Sequence, residues 1–282
     1  MADLKGRTFL VTGGNTGIGY ATALELARRG GRVHIACRSA VRGKAAVAAI
    51  AAATAPGRVS CLPLDLADLA SVGQAVVAFL RLGEPLHVLI NNAGVGGQRG
   101  QTAQGFETHF GVNHLGHFAL TAGLLPLLRA SAPARVVTVA SDAHYAARGV
   151  DFDAARRATR SLTGMPEYAV SKLCNVAFTQ ELARRETEAD SGVTAYTLHP
   201  GVIASEIWRR VPQPARWLMT RRMRSTTEGA QTSLYCATAP ELADQTGRYY
   251  EDSRERRPSD MATRDLAADL WSRSAAWTNP IG

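Results

Sequence analysis

The chain has 282 residues, 46% hydrophobic and 20% charged, which is ample apolar material for a large buried core and too apolar for a disordered chain. No apolar run approaches the roughly 18 residues of a membrane span, and the strand pattern that begins within MADLKGRTFLVTGG leaves no room for a signal peptide. The four cysteines (Cys37, Cys61, Cys174 and Cys236) fit neither a zinc pattern nor a disulfide scaffold, so a reduced, cytoplasmic protein is the expectation.

Residues 7–11 read as a first strand and 17–29 as a helix. Residues 32–37 form the next strand, with a helix behind it to about 53. Strands at 58–62 and 86–90 flank a helix at 68–82. A long helical stretch at 106–129 is followed by a strand at 134–140, a helix at 167–185, a strand at 193–198 and a short strand at 247–250. The strands are continuously apolar rather than alternating, as expected where helices cover both faces of a parallel sheet. Strict alternation of strand and helix requires right-handed crossovers. The expected fold is therefore one α/β domain over residues 1–282, doubly wound around a mostly parallel sheet of about seven strands.

The first strand runs into Thr12-Gly13-Gly14-Asn15-Thr16-Gly17-Ile18-Gly19, and a helix follows. Glycines here permit a tight turn and close approach of the backbone to a pyrophosphate, while the helix start offers free N–H groups. A carboxylate at the end of the second strand would mark NAD. Here that position reads Ala36-Cys37-Arg38-Ser39, with Arg42 and Lys44 behind it. A guanidinium can pair with a ribose 2′-phosphate that a carboxylate would repel, so NADP(H) is expected.

Further signatures end successive strands: Asp65-Leu66, then Asn91-Asn92-Ala93-Gly94, then Ser141. Tyr168 and Lys172 follow on a helix at i, i+4, which puts both side chains on one face. An ammonium beside a phenol favours the phenolate, and a proton donor works best with its pKa near the working pH.

Taken together, these motifs resemble the short-chain dehydrogenase/reductase family over nearly the whole length. The stretches VTGGNTGIG, ACR, LHVLINNAGV, GFETHFGVNHLGHF, SAPARVV, SKLCN and HPGVIASE are most similar to its retinol dehydrogenase branch. The resemblance implies a Rossmann domain with a catalytic set of Asn113, Ser141, Tyr168 and Lys172. It implies a cofactor site of Gly13, Asn15, Thr16, Gly17, Ile18, Gly19, Arg38, Asp65, Leu66, Asn91, Ala93, Gly94, Tyr168, Lys172, Pro200, Gly201, Ile203 and Ser205, with Val202 beside the nicotinamide. It also implies a substrate lid at 200–227 and a homodimer or homotetramer built on the helices at 106–129 and 167–185. The expected reaction is hydride transfer between nicotinamide and a carbonyl or alcohol of an apolar substrate, in the reductive direction. Two other readings stand beside it: reduction of a bulky polyketide- or steroid-like ketone, and a non-catalytic NADP(H)-binding regulator. The intact set of Ser141, Tyr168 and Lys172 argues against a regulator.

Asp142 and His144 follow Ser141 where this branch often has a second serine, and Val95-Gly96-Gly97 lacks the bulky residue common there. His109, His114 and His117 share a helix, but no paired carboxylate or cysteine completes a metal set, so helix packing is expected. The segment 207–225 holds Trp208, Trp217, Leu218, Met219, Met223 and six arginines without an acid. It reads as a lid helix with one packed and one solvated face, or as a peripheral membrane contact. The whole chain carries +8, from 32 basic and 24 acidic residues, of which only Lys5, Lys44 and Lys172 are lysines. Because the excess sits mainly in that one segment, no footprint along nucleic acid is expected.

Overall fold

The computed structural model describes residues 3–55, 57–201 and 225–278. Strand β1 (Thr8–Thr12) leads into α1 (Gly17–Arg28), β2 (Arg32–Cys37) into α2 (Ala40–Ala52), and β3 (Val59–Pro63) into α3 (Leu69–Leu80). Strand β4 (Val88–Asn91) precedes a π-helical turn (Phe110–Leu115) that opens α4 (Gly116–Ala130). Then come β5 (Ala134–Val139), α5 (Met165–Glu188), β6 (Val193–His199), α6 (Thr226–Thr238), β7 (Arg248–Glu251), β8 (Arg254–Arg256) and α7 (Arg264–Thr278).

One sheet holds all eight strands in the order β3-β2-β1-β4-β5-β6-β7-β8. The first seven pair in parallel, with Phe9 opposite Val88 and Val137 opposite Tyr196. Successive side chains along a strand enter opposite layers. Leu10 and Leu89 pack with Phe118, Leu124 and Phe178 on one face, while Val11 and Ile90 pack with Leu26, Ile35 and Leu234 on the other. The strand order reverses between β1 and β4, and such a switch point opens a crevice at the carboxyl ends of the strands.

The expected sheet of about seven strands gains β8, a short antiparallel partner of β7. The two are joined by Asp252 and Ser253, at φ 50° and 57°. Two left-handed residues in succession make the mirror-image turn that suits hairpin twist. Asp-Ser lacks the glycine that usually signals such a turn in a sequence. The long helix expected from 106 becomes regular only at Gly116, because Glu107 is tied into a bridge with Gln101 and residues 110–115 are wound as π-helix.

Helix α7 packs along α5 and reaches α4. Trp271 stacks on Phe178 of α5 at 5.9 Å and meets Phe118 of α4 edge-on at 5.1 Å. The Arg185 guanidinium covers its other side at 4.6 Å. Part of the α4–α5 surface expected to join subunits thus carries the chain's own last helix. Leu270 of α7 is fully buried in this layer. Leu270→Ala is expected to cost about 2–5 kcal/mol, measured as a lowered urea midpoint with an unchanged slope; a loss under about 0.5 kcal/mol would mean α7 contributes little to the core.

Candidate functional site

A cleft of about 380 Å³ runs along the carboxyl ends of the strands. The loop between β1 and α1 forms its floor. Gly13 has φ +68°, and a Cβ there would lie 3.1 Å from Ala93 Cα. A Cβ on Gly19 would lie 2.5 Å from the Gly13 carbonyl oxygen. Both positions therefore demand glycine, for opposite reasons: one for its dihedral, the other for space. Helices α2, α3 and α6 each hold a first-turn N–H with a cap side chain, from Ser39, Asp68 and Ser225. Thr16 makes no such bond at the start of α1, so those N–H groups are turned to the cleft without a side-chain partner.

Thr12 ties this loop to the next. Its hydroxyl oxygen accepts from the backbone N–H of Asn92 and of Ala93, both at 2.9 Å. The Asn92 side-chain amide donates back to the Thr12 carbonyl at 2.7 Å. Thr12 Oγ1 also lies 2.9 Å from His117 Nε2, whose Nδ1 lies 3.0 Å from the Asn113 carbonyl oxygen. That pattern assigns the proton of His117 to Nδ1 and makes Nε2 the acceptor of the threonine O–H. Burial lowers the His117 pKa to about 4, so the neutral ring holds both bonds at physiological pH.

At the far end of the cleft stand Ser141, Tyr168 and Lys172. Ser141 follows β5, and α5 brings Tyr168 and Lys172 onto one face. The Lys172 ammonium lies 5.6 Å from the Tyr168 ring centre and donates to the Val139 carbonyl at 3.0 Å. Burial alone lowers its pKa to about 8. The Tyr168 pKa is raised, chiefly by burial, with the nearby Ser141 hydroxyl opposing the rise and the Asp142 carboxylate adding to it. The expectation that Lys172 lowers the Tyr168 pKa is not met here: burial raises it.

Asn113 stands behind this group, fully buried in the π-helical turn. Its amide clamps Val95, accepting from the backbone N–H at 2.8 Å and donating to the carbonyl at 3.0 Å, and it also donates to Ser171 Oγ at 2.9 Å. The wide π-turn aims the amide sideways into the loop after β4.

Of the expected cofactor residues, Gly13, Asn15, Thr16, Gly17, Ile18, Gly19, Arg38, Ala93, Gly94, Tyr168, Lys172, Pro200 and Gly201 line the cleft. Asn91, Asp65 and Leu66 are placed outside that lining. Asn91 is buried and donates to Thr121 Oγ1 at 3.0 Å, whereas Asn92 faces the cleft. Asp65 accepts from the Ala67 N–H at 3.0 Å, and Leu66 packs beneath Gly116. Val202, Ile203, Ser205 and most of the lid at 200–227, with all of 207–224, lie outside the described residues. Arg42, Gln98, Asp142 and Met165 line the cleft beyond the expected set. Only Arg42 and Asp142 had a sequence signal, the one from its neighbour Arg38 and the other from its place after Ser141. The three helix histidines have separate partners: Glu107 for His109, Ser274 for His114, and Thr12 for His117.

The residues present suit a dinucleotide with a 2′-phosphate. A glycine floor and an uncapped helix start face the pyrophosphate position, and two guanidiniums, Arg38 and Arg42, flank one end where a carboxylate would mark the unphosphorylated ribose. Residues 7–215 match the family model described as short chain dehydrogenase. Mouse (Mus musculus) retinol dehydrogenase 12 is 45% identical over 96% of this chain and 86% of its own. Among solved structures, Pseudomonas aeruginosa RhlG with NADP is similar at TM-score 0.70 and 26% identity, covering 93% of this chain and 98% of that one. A Burkholderia cenocepacia short chain dehydrogenase in complex with NADP also gives 0.70, at 27% identity over 88% and 97%. With the family match, these neighbours make the cleft an NAD(P)(H) site.

Lys172 has a testable cost. Its folded pKa, about 8, lies below the ordinary 10.5, so between those values the unfolded chain binds more protons and stability rises with pH. At pH 7 the buried charge costs about 3 kcal/mol. Lys172→Met, which leaves the Val139 carbonyl its second donor from Asn175 at 3.2 Å, removes that cost. Urea unfolding without cofactor should find the variant's advantage over wild type at pH 7 shrinking by about 3 kcal/mol towards pH 10.5. An advantage independent of pH would show that Lys172 is not a costly buried cation.

Proposed function

Because this chain belongs to the short-chain dehydrogenase family, in its retinol dehydrogenase branch, we propose that it is an NADP(H)-dependent oxidoreductase working towards carbonyl reduction. The observation that carries this reading is one continuous cleft with Arg38 and Arg42 at one end and Ser141, Tyr168 and Lys172 at the other.

NADPH, when bound, supplies the hydride for the carbonyl carbon. Tyr168 gives its phenolic proton to the carbonyl oxygen. The phenol is protonated in the cleft, as the reductive direction requires, and its release of the proton depends on the positive charge beside it. Ser141, which lines the same end of the cleft, orients the same oxygen. The Lys172 ammonium would hold the ribose hydroxyls, and it keeps positive charge beside the phenol as the proton leaves. Asn113 acts through Val95, fixing the loop after β4. Arg38 and Arg42 select the 2′-phosphate.

A reducing, cytoplasmic setting belongs to the same proposal. It is supported by four free cysteines, two of which, Cys37 and Cys61, face each other at 3.8 Å without a bond. Among the described residues no helix is long and apolar enough to cross a membrane.

Two variants test the assignment. Tyr168→Phe should lower the turnover number for NADPH-dependent aldehyde or ketone reduction at least about 100-fold while leaving NADPH binding, read by nucleotide fluorescence, within about twofold. A wild-type rate in this variant would remove Tyr168 from the chemistry. Arg38→Ala should shift the NADPH/NADH ratio of kcat/KM towards NADH by about 10–100-fold, and an unchanged ratio would place 2′-phosphate recognition elsewhere.

A further inference from the structure

Asp142 is the one acidic side chain that lines the cleft among the described residues. It follows Ser141 directly, in a 3-10 turn (Asp142–Ala146) that fixes the two side chains together. Asp142 Oδ1 accepts a hydrogen bond from Ser141 Oγ at 3.0 Å. The same Oγ accepts from the Ala143 N–H at 3.2 Å.

A serine hydroxyl has one proton. With that proton committed to the carboxylate, Ser141 has none to offer a carbonyl oxygen. A plain aldehyde or ketone must therefore take the proton from Asp142. It must also lie against the exposed Asp142 carboxylate, shutting out the water that would otherwise replace the lost partner. Both steps are unfavourable, since a carboxylate removed from water needs a donor. A carbonyl compound with a hydroxyl group on the adjacent carbon avoids both. Its O–H replaces Ser141 on Asp142, and the freed Ser141 proton turns to the carbonyl oxygen.

The reach agrees with this exchange. The carbonyl oxygen and Asp142 Oδ1 each stand one hydrogen bond from Ser141 Oγ, hence about 4–5 Å apart. That is the span from a carbonyl oxygen, across an adjacent hydroxyl, to the acceptor of that hydroxyl.

We propose that Asp142 makes this enzyme selective for carbonyl compounds carrying a hydrogen-bond donor, an α-hydroxyl group above all, next to the carbonyl. In the reverse direction the same geometry selects vicinal diols. The proposal rests on the oxidoreductase reading of the cleft and narrows its substrate class. Asp142 is a specificity-determining residue: hydride and proton transfer remain with the groups already described, and the substrate's own donor decides whether Ser141 can serve them.

The test compares acetophenone with 2-hydroxyacetophenone, a pair differing only in the α-hydroxyl, using NADPH and three proteins: wild type, Asp142→Ala and Asp142→Asn. Wild type should favour the hydroxyketone in kcat/KM at least about tenfold. Asp142→Ala should cut that preference at least about tenfold, losing on the hydroxyketone and gaining on acetophenone. Asp142→Asn, which keeps the size and an acceptor oxygen, should fall between them. The comparison is a ratio within one protein, so a general loss of folding or cofactor affinity does not move it. A ratio within twofold across all three proteins would overturn the role of Asp142 while leaving the reductase reading intact. If wild type oxidises NADPH with neither probe nor a broader aldehyde panel, the reductase reading falls, and this inference with it.

Discussion

A single hydroxyl group, that of Thr12, holds the two ends of the switch point together. It accepts from two successive N–H groups of the loop after β4 and faces the neutral edge of His117 from α4. Pairing between β1 and β4 ends at Ile90, and the Thr12 hydroxyl carries the tie on to Asn92 and Ala93. The same histidine reaches the carbonyl of Asn113, and the Asn113 amide clamps Val95 from below. One short chain of bonds therefore sets both floors of the cleft. Because Thr12, Asn113 and His117 are buried, a bond lost at any of them would leave an unpaired polar group in a medium that cannot hydrate it.

Burial has the opposite sign at the chemical end. It lowers the Lys172 pKa and raises that of Tyr168, so desolvation drives both groups towards their uncharged forms. A phenol that keeps its proton and an ammonium that holds its proton only reluctantly sit 5.6 Å apart, as measured from the ring centre. The protein thus stores a penalty in the cofactor-free cleft. Negative charge arriving on a bound nucleotide, or developing on the phenol as it gives up its proton, relieves the lysine's share of that penalty.

Much of this was legible before any coordinates. The β1–α1 loop, the continuous apolar strands and the Tyr168–Lys172 spacing report local rules of backbone and helix face, and local rules are written in neighbouring residues. What escaped depends on surroundings that sequence spacing does not encode. Asn91 and Asn92 are identical in type, and the pleat alone decides which one enters the cleft and which one pairs with Thr121. The β7–β8 turn is taken by Asp252 and Ser253 in place of the glycine that would announce it. The direction of the Tyr168 shift was misread because proximity to a cation is visible as i, i+4 spacing, whereas the depth of burial that outweighs it is a property of the packed domain. Asp142 was visible as a departure from the branch, but its hold on the Ser141 proton is a matter of geometry.

Among the described residues, several arginines have a structural role in the same packed domain. Arg129 grips the buried Glu186 with two parallel bonds, and Arg184 and Arg185 converge on the equally buried Glu181. Other guanidiniums lie flat on rings: Arg156 over Phe106 at 4.3 Å, Arg273 over Phe152 at 4.5 Å, Arg135 over Tyr196 at 5.7 Å. A planar fork that stacks and pairs at once does what an ammonium cannot, which is a structural reason for arginine rather than lysine at these positions. Charge used this way is bound up in contacts within the chain. Among the described residues, Arg38 and Arg42 are the guanidiniums that line the cleft.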